Sequence, residues 1–264
     1  METLSLGNSV TRIGDHAFYG CDKLKTVVIP DCVTTLEDKA FNCCLGLESV
    51  VIGDGVTSIG YAAFAGCYGL QSVIIGENVK TIGASAFWVD YRLSSIVIPN
   101  SVTTIRNGAF QHSALKEITL GSNLSLIEEY AFDDTGLAVI RSFNTVPPTV
   151  EDNNNFTAQQ YADAAVYVPE SALDAYRTAE VWKNFLNIQS LQSVGVNNVA
   201  VNDGVTVSVV GGSIVVNGYD GAAIVEVYNI GGNRVYSGHD AAITDLTPGV
   251  YVVRIGNSTT KVVL

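Results

Sequence analysis

Five cysteines, three histidines and several paired carboxylates are the residues of this sequence whose types and spacing could do chemistry. Cys21, Cys44 and Cys67 recur at steps of 23 residues, with Cys32 and Cys43 between them. Zinc needs two close pairs such as C-x₂-C, and this spacing does not supply them, so no metal is expected. His16, His112 and His239 are too few and too scattered for a catalytic relay. No G-x-S-x-G elbow, H-E-x-x-H helix or P-loop occurs. Gly53-Asp54-Gly55 has the look of a dinucleotide loop, yet Pro30-Asp31-Cys32 and Gly76-Glu77-Asn78 stand at equivalent places, which makes it a routine turn and leaves no cofactor. Glu128-Glu129 and Asp133-Asp134 could act as general acids or hold Ca²⁺, and the loop at residues 151–155 is a further Ca²⁺ candidate. Adjacent carboxylates on an exposed turn serve equally as a solvated edge. No catalytic residue is assigned, and the expectation is a protein that is not an enzyme.

The elements that position these residues follow from one pattern, V-T-x-I-x-x-x-A-F, then L-x-x-V-x-I. It is read at residues 10–18, 33–41, 56–64, 79–87, 102–110 and 124–132, with the phenylalanines 23 apart and a last step of 22. A unit this small cannot bury its own apolar face and must stack on its neighbours as a solenoid. Residues 24–29, 47–52, 70–75, 93–98 and 115–120 alternate with period two and are rich in β-branched types, so they are strands. Their first, fourth and sixth residues point inward. Stacked coils place these strands about 4.8 Å apart in a parallel sheet. Pro, Gly, Asn and Asp then punctuate a turn. The Ala-Phe pair closes a short helical or 3₁₀ turn, and Phe18, Phe41, Phe64, Phe87, Phe110 and Phe132 form a spine. Cys21, Cys44 and Cys67 fall in one column of it. Coil spacing lies inside the Cα window for a disulfide, but an odd number in parallel register favours unpaired buried thiols.

The same alternation turns Val28, Val51, Ile74, Val97 and Thr119 outward from the sheet, with Thr26, Ser49, Ser72, Ser95 and Glu117 beside them. Aligned apolar residues on an exposed face mark an interaction site, or else simply keep strands straight. A ligand-binding face, if present, lies here.

Composition narrows the partners. The chain of 264 residues is 47% hydrophobic and 15% charged, which allows an extensive core. Its net charge of −12 is spread along the chain, with no basic cluster to meet a phosphate backbone, so nucleic acid is not expected. No apolar run reaches the length of a membrane span. The opening residues lack the basic leader and apolar stretch of a signal peptide. Leu4 to Val10 instead match the tail of a repeat, and the expectation is a fragment or a mature product whose earlier coils are missing.

The repeat resembles the BspA-like (Treponema-type) leucine-rich repeat of bacterial surface and secreted proteins, through V-T-x-I-G-x-x-A-F-x-G-C-x-x-L-x-x-V-x-I-P. Residues 56–67 are its fullest copy, and the match runs from residue 4 to about 143. Asp90, Ser113 and Thr135 stand where Cys is usual, and Arg106 and Glu128 where Gly is usual. The resemblance implies a solenoid with a parallel sheet and short convex helical turns. It also implies adhesion to a protein or glycan, including host extracellular matrix.

From about residue 144 the pattern decays. Phe156 and residues 164–168 read as a degenerate seventh coil with its own strand. Pro169 begins a helix, with Glu170 in its first turn. Leu173, Tyr176, Trp182 and Phe185 form its apolar side, with a break near Ala179. This is a cap for the stack or, alternatively, a peptide-recognition helix. The solenoid with its cap spans residues 1–190, and a linker is placed at roughly 189–198.

Residues 191–264 hold short alternating runs at 205–210, 213–216, 223–228, 234–236, 249–255 and 260–264. Gly211-Gly212, Gly231-Gly232 and Gly256-Asn257 are expected as hairpin turns. Such spacing argues a small antiparallel β-sandwich. Residues 227–236, 246–255 and 261–264 are similar to the C-terminal sorting domain of the Por (type IX) secretion system. That similarity implies recognition by secretion machinery and a place outside the cell, secreted or on the outer surface of a Gram-negative-type bacterium. Three functions stay open at this point: an exported binding protein of adhesin type, an architectural spacer, and a glycan- or peptide-cleaving enzyme with an unrecognised site.

Overall fold

The computed structural model describes residues 4–151, 153–191, 199–202, 205–210, 213–217, 224–229, 234–244, 246, 250–255 and 258–263. It divides into two compact units, Met1–Gln189 and Ser190–Leu264.

In the first unit each coil from that of Thr26 to that of Thr149 contributes two strands. The longer ones are those anticipated: Thr26–Ile29, Ser49–Ile52, Ser72–Ile74, Ser95–Val97 and Glu117–Leu120. They continue in Val139–Ser142, Ala165–Val168 and Asn187–Ser190. Residues one, four and six of each segment are buried, as in Leu47, Val50 and Ile52. Hydrogen bonding splits these strands into a three-stranded and a five-stranded parallel sheet, with the division between Ser72–Ile74 and Ser95–Val97. Asn187–Ser190 belongs to the solenoid sheet, so Gln189 and Ser190 are strand residues and not the start of a linker.

The second strand of each coil is only two residues long. Arg12–Ile13, Thr35–Leu36, Ser58–Ile59, Thr81–Ile82, Thr104–Ile105, Leu126–Ile127 and Thr149–Val150 form one unbroken seven-stranded parallel sheet. Two residues are too few to show an alternation, which is why the pattern of V-T-x-I did not announce a strand.

The turn around Ala-Phe has a more specific form than a plain helical turn. Its N–H groups alternate between two acceptors. Ala17, Tyr19 and Cys21 donate to the carbonyl three residues back, while His16, Phe18 and Gly20 donate to Asp38, Ala40 and Asn42 of the next coil. The alternation needs left-handed residues at two places in each coil. His16, Lys39, Ala62, Ser85 and Tyr130 have φ of 50–58°, and Cys43, Val89, His112 and Asp134 have φ of 50–58° in the second place. Positive φ costs a non-glycine residue about 1–2 kcal/mol. In return the Lys39, Ala62, Ser85, Cys43, Val89 and His112 N–H groups each reach a carbonyl of the next coil at 2.7–3.0 Å. The strain is thus offset by ladder hydrogen bonds that would otherwise be left unmade.

Inside this backbone cage the phenylalanines stack. Centroids from Phe18 to Phe132 lie 5.0–5.7 Å apart with planes within 13° of parallel, and Phe156 extends the spine at 5.9 Å. This offset stacking is a favoured ring geometry. The spine ends in a different chemistry. Where Phe110 N–H finds the Ala131 carbonyl, Phe132 N–H finds Asn155 Oδ1 at 3.2 Å, and Asn155 Nδ2 returns to the Glu128 carbonyl. Above it, Tyr161, Trp182 and Phe185 surround the Phe156 ring. A helix at Ala158–Asp163, opened by a capping box between Thr157 and Gln160, was not anticipated. Pro169 precedes a 3₁₀ turn at Glu170–Ala172 that continues into the Leu173–Thr178 helix, which ends at Ala179. Tyr176 and Trp182 are fully buried, and their polar atoms are satisfied by Ser142 Oγ (2.7 Å) and the Pro148 carbonyl (2.7 Å). These helical residues cover the stack, as a cap must.

All five cysteines are free thiols, with Cys44 and Cys67 buried. Their Sγ atoms donate to the Phe18 and Phe41 carbonyls at 3.1 and 3.3 Å. Burial pushes the Cys67 thiol well above its ordinary pKa.

The second unit holds two four-stranded sheets. One contains Val199–Asn202, Val205–Val210, Ser213–Asn217 and Ala242–Ile243; the other contains Arg234–Gly238, Val225–Asn229, Val250–Ile255 and Ser258–Val263. All the pairings described are antiparallel. Val207, Ile214, Val216 and Ile243 of one sheet and Val225, Val227, Tyr251, Val253 and Val262 of the other share one core, which makes a sandwich. The Gly211-Gly212, Gly231-Gly232 and Gly256-Asn257 turns lie outside the described residues.

Two outcomes follow. Phe64→Ala removes a fully buried ring from the middle of the spine and is expected to destabilise the solenoid by about 3–5 kcal/mol, measured by urea unfolding, whereas Val146→Ala, at an exposed position, leaves the midpoint unchanged. Iodoacetamide at pH 8 is expected to label Cys21, Cys32 and Cys43 in the folded chain and to spare Cys44 and Cys67 until urea is added, as read by mass spectrometry. Prompt labelling of Cys67 would contradict the closed stack.

Candidate functional site

The outward column of the longer strands is in register throughout. Val28 lies opposite Val51 and Val51 opposite Ile74. Beyond the break in hydrogen bonding, Val97 lies opposite Thr119, Thr119 opposite Arg141, and Arg141 opposite Tyr167. Exposure falls along the column: Val28 is 59% exposed, Val51, Ile74 and Val97 are half-buried, and Thr119 is only 6% exposed. The flanking column is open at Ser72 and Ser95, with Ser49 and Glu117 half-buried.

Thr119 is therefore not part of an exposed face. Its neighbour in the ladder, Arg141, reaches across to pair with the Glu117 carboxylate, and its guanidinium lies 5.7 Å from the centre of the Tyr167 ring. Long side chains lay their apolar stems over the surface they cross, and a threonine between them is too short to emerge. The column thus changes character, from aliphatic at Val28–Ile74 to Arg141 and Tyr167, with Glu117 of the flanking column completing a carboxylate–guanidinium–aromatic cluster. Arg141 and Tyr167 were absent from the sequence reading of the face. They were findable, since Arg141 stands one coil on from Thr119 and Tyr167 two coils on, in the same column.

A second open patch lies before the longer strands. Leu45, Tyr68 and Tyr91 occupy one column and are exposed, with the Tyr68 and Tyr91 rings 5.2 Å apart. Trp88, also exposed, sets its ring edge-on to His112 at 6.4 Å. These aromatics vary from coil to coil and are not part of the repeat consensus, so no periodicity drew attention to them.

The polar candidates are employed between coils. Asp31 Oδ1 accepts the Asp54 N–H (2.9 Å), and Asp54 Oδ1 accepts the Glu77 N–H (2.7 Å). Burial, together with the Asp54 charge, raises the Glu77 carboxyl above its usual range. Gly55 is needed there because a Cβ would fall 2.0 Å from the Asp31 carbonyl oxygen, so the Gly-Asp-Gly stretch serves packing. Glu128 accepts the Asn107 N–H, Asp133 accepts from Gln111, and Asp134 faces His112 Nδ1 at 2.9 Å. His16 pairs with Asp15. Among the described residues no three metal-ligating side chains gather in one place, and no helix is long and apolar enough to cross a membrane.

Comparison with known proteins agrees with this geometry. The family model of the BspA type leucine rich repeat region matches in six copies over residues 1–113 and 88–157. Among solved structures, the pneumococcal vaccine antigen PcpA is similar with a TM-score of 0.50 at 16% identity, covering 64% of this chain and 56% of that one. A leucine-rich repeat protein of T. pallidum gives 0.44 at 22% identity (71% and 72% covered), and one of Bacteroides ovatus gives 0.40 at 25% (69% and 56%). The chain thus spans little more than half the length of PcpA. No curated protein matches the sequence. Six matched repeats over more than half the chain, stacked in the register described above, show that this protein belongs to the BspA-type leucine-rich repeat family.

Proposed function

We propose that this protein is a non-enzymatic binding protein of the cell surface or its surroundings, holding a protein or glycan on the outward face of its longer strands. The observation that carries this reading is the aligned column Val28, Val51, Ile74 and Val97, in which Val28 is exposed and the other three aliphatic side chains are half-buried on the outward face of the sheet. A partner that covers them gains from the release of water, at about 25 cal/mol per Å² of apolar area removed. The hydroxyls of Ser49, Ser72 and Ser95 beside the stripe offer hydrogen bonds that fix orientation, and the Glu117–Arg141–Tyr167 cluster offers charge at one end. A matrix protein or a surface glycan of a host or of another bacterium fits this description. Likeness to a pneumococcal antigen supports a place at the cell surface.

The sandwich formed by the second unit is the element we assign to export or anchoring, in the manner of a Por-type sorting domain recognised by the secretion machinery. The support is its two antiparallel sheets together with the residue similarity at 227–236 and 246–255. That location is the secreted or outer surface of a Gram-negative-type bacterium.

A second reading moves the contact to the Leu45, Tyr68, Tyr91 and Trp88 patch, because exposed Tyr and Trp are favoured at binding hot spots. Capture of matrix proteins and glycans on an array separates the two. Val51→Lys with Ile74→Lys is expected to reduce capture at least tenfold, while Tyr68→Ser with Tyr91→Ser leaves it intact. The reverse pattern would move the site to the aromatic patch. No capture by the unaltered chain, or no effect of either pair, would favour a spacer.

A further inference from the structure

The column of Cys21, Cys44 and Cys67 continues through Asp90, Ser113 and Thr135, and Asp90 is its one carboxylic acid. Asp90 is fully buried in the solenoid interior. Its Oδ1 accepts the Cys67 N–H of the preceding coil at 2.9 Å. Its Oδ2 has no hydrogen-bond partner, and neither does the buried Ser113 hydroxyl in the coil that follows. The Cys44 and Cys67 thiols of this column each meet a phenylalanine carbonyl of an earlier coil; Oδ2 meets nothing equivalent. Among the described residues no lysine, arginine or histidine pairs with Asp90. The titratable group facing it is the Cys67 thiol; Ser113, on the other side, does not titrate.

We propose that Asp90 makes the solenoid respond to pH at one defined point: the coils close around it as a neutral acid, and loss of its proton loosens the stack between the coils of Cys67 and Ser113. An ionised carboxylate here would keep one oxygen desolvated and unpaired inside an apolar core, which is among the costlier arrangements in a protein. A neutral carboxyl avoids most of that cost. Burial accordingly raises the Asp90 carboxyl well above the usual carboxylate range, against a smaller lowering by the Cys67 N–H. Because the folded pKa lies above that of the unfolded chain, the stabilisation is complete below the unfolded value. It is lost progressively as pH rises from there to the folded value. The device therefore tightens the fold in acid and relaxes it towards neutral pH.

The test compares urea unfolding of the full chain with that of Asp90→Asn, which keeps the shape and removes the titration. The ratio of the two unfolding constants, unaltered over variant, is expected to grow by about tenfold per pH unit from about pH 4 until the folded pKa is reached. Comparing the two chains cancels Glu77, whose carboxyl is also raised. Asp90→Cys, which restores the residue type of the column, is expected to behave like Asp90→Asn and serves if the amide variant does not fold. Amide hydrogen exchange, corrected for intrinsic rate, is expected to show protection near Cys67 falling with pH while that near Cys44 holds. A ratio independent of pH would overturn the proposal, as would equal pH response in the two coils.

Discussion

The structure rests on one requirement: each coil must satisfy the backbone of the next. In a helix or a hairpin the hydrogen-bond partners lie close by in sequence, but here nearly all bonds between coils join residues 21 to 24 apart. One coil alone could neither pair its strands nor cover its phenylalanine. The same step that brings Phe41 over Phe64 brings the Phe41 N–H to the Ala63 carbonyl at 2.8 Å. Ring stacking and backbone pairing thus impose a single repeat length, and a coil that lost one would lose the other.

That requirement explains features that look unfavourable in isolation. Left-handed Lys39, Ala62 and Val89 contradict their own conformational preference, yet each aims an N–H at the adjoining coil. Asp31 and Asp54, candidates for chemistry by type, spend an oxygen on the next turn. At the end of the stack there is no further coil, and Asn155 supplies from its side chain the acceptor that a backbone carbonyl supplies elsewhere. The column that carries thiols in three coils carries a carboxyl in the fourth, and Asp90 Oδ1 there accepts the Cys67 N–H of the preceding coil.

For function, the consequence is a surface of fixed spacing whose chemistry is varied column by column. The outward column begins with aliphatic side chains and ends with Arg141 over Tyr167, while the backbone beneath stays in register. Substitutions in such columns alter what is presented without altering the frame.

The sequence by itself determined the repeat length, the inward residues of each longer strand and the phenylalanine spine, because a 23-residue period forces equivalent residues into one column. It also determined that the second unit is a β-structure, through alternation broken by glycine. Only the tertiary structure decided where the sheet hydrogen bonding divides, that Thr119 is buried, and that Leu45, Tyr68 and Tyr91 stand open together. Exposure depends on how far a neighbour's side chain reaches, and a column assignment does not contain that information. The two-residue strands and the left-handed turn positions were likewise hidden, since both arise from bonds to the adjoining coil rather than from any preference of the residues that make them.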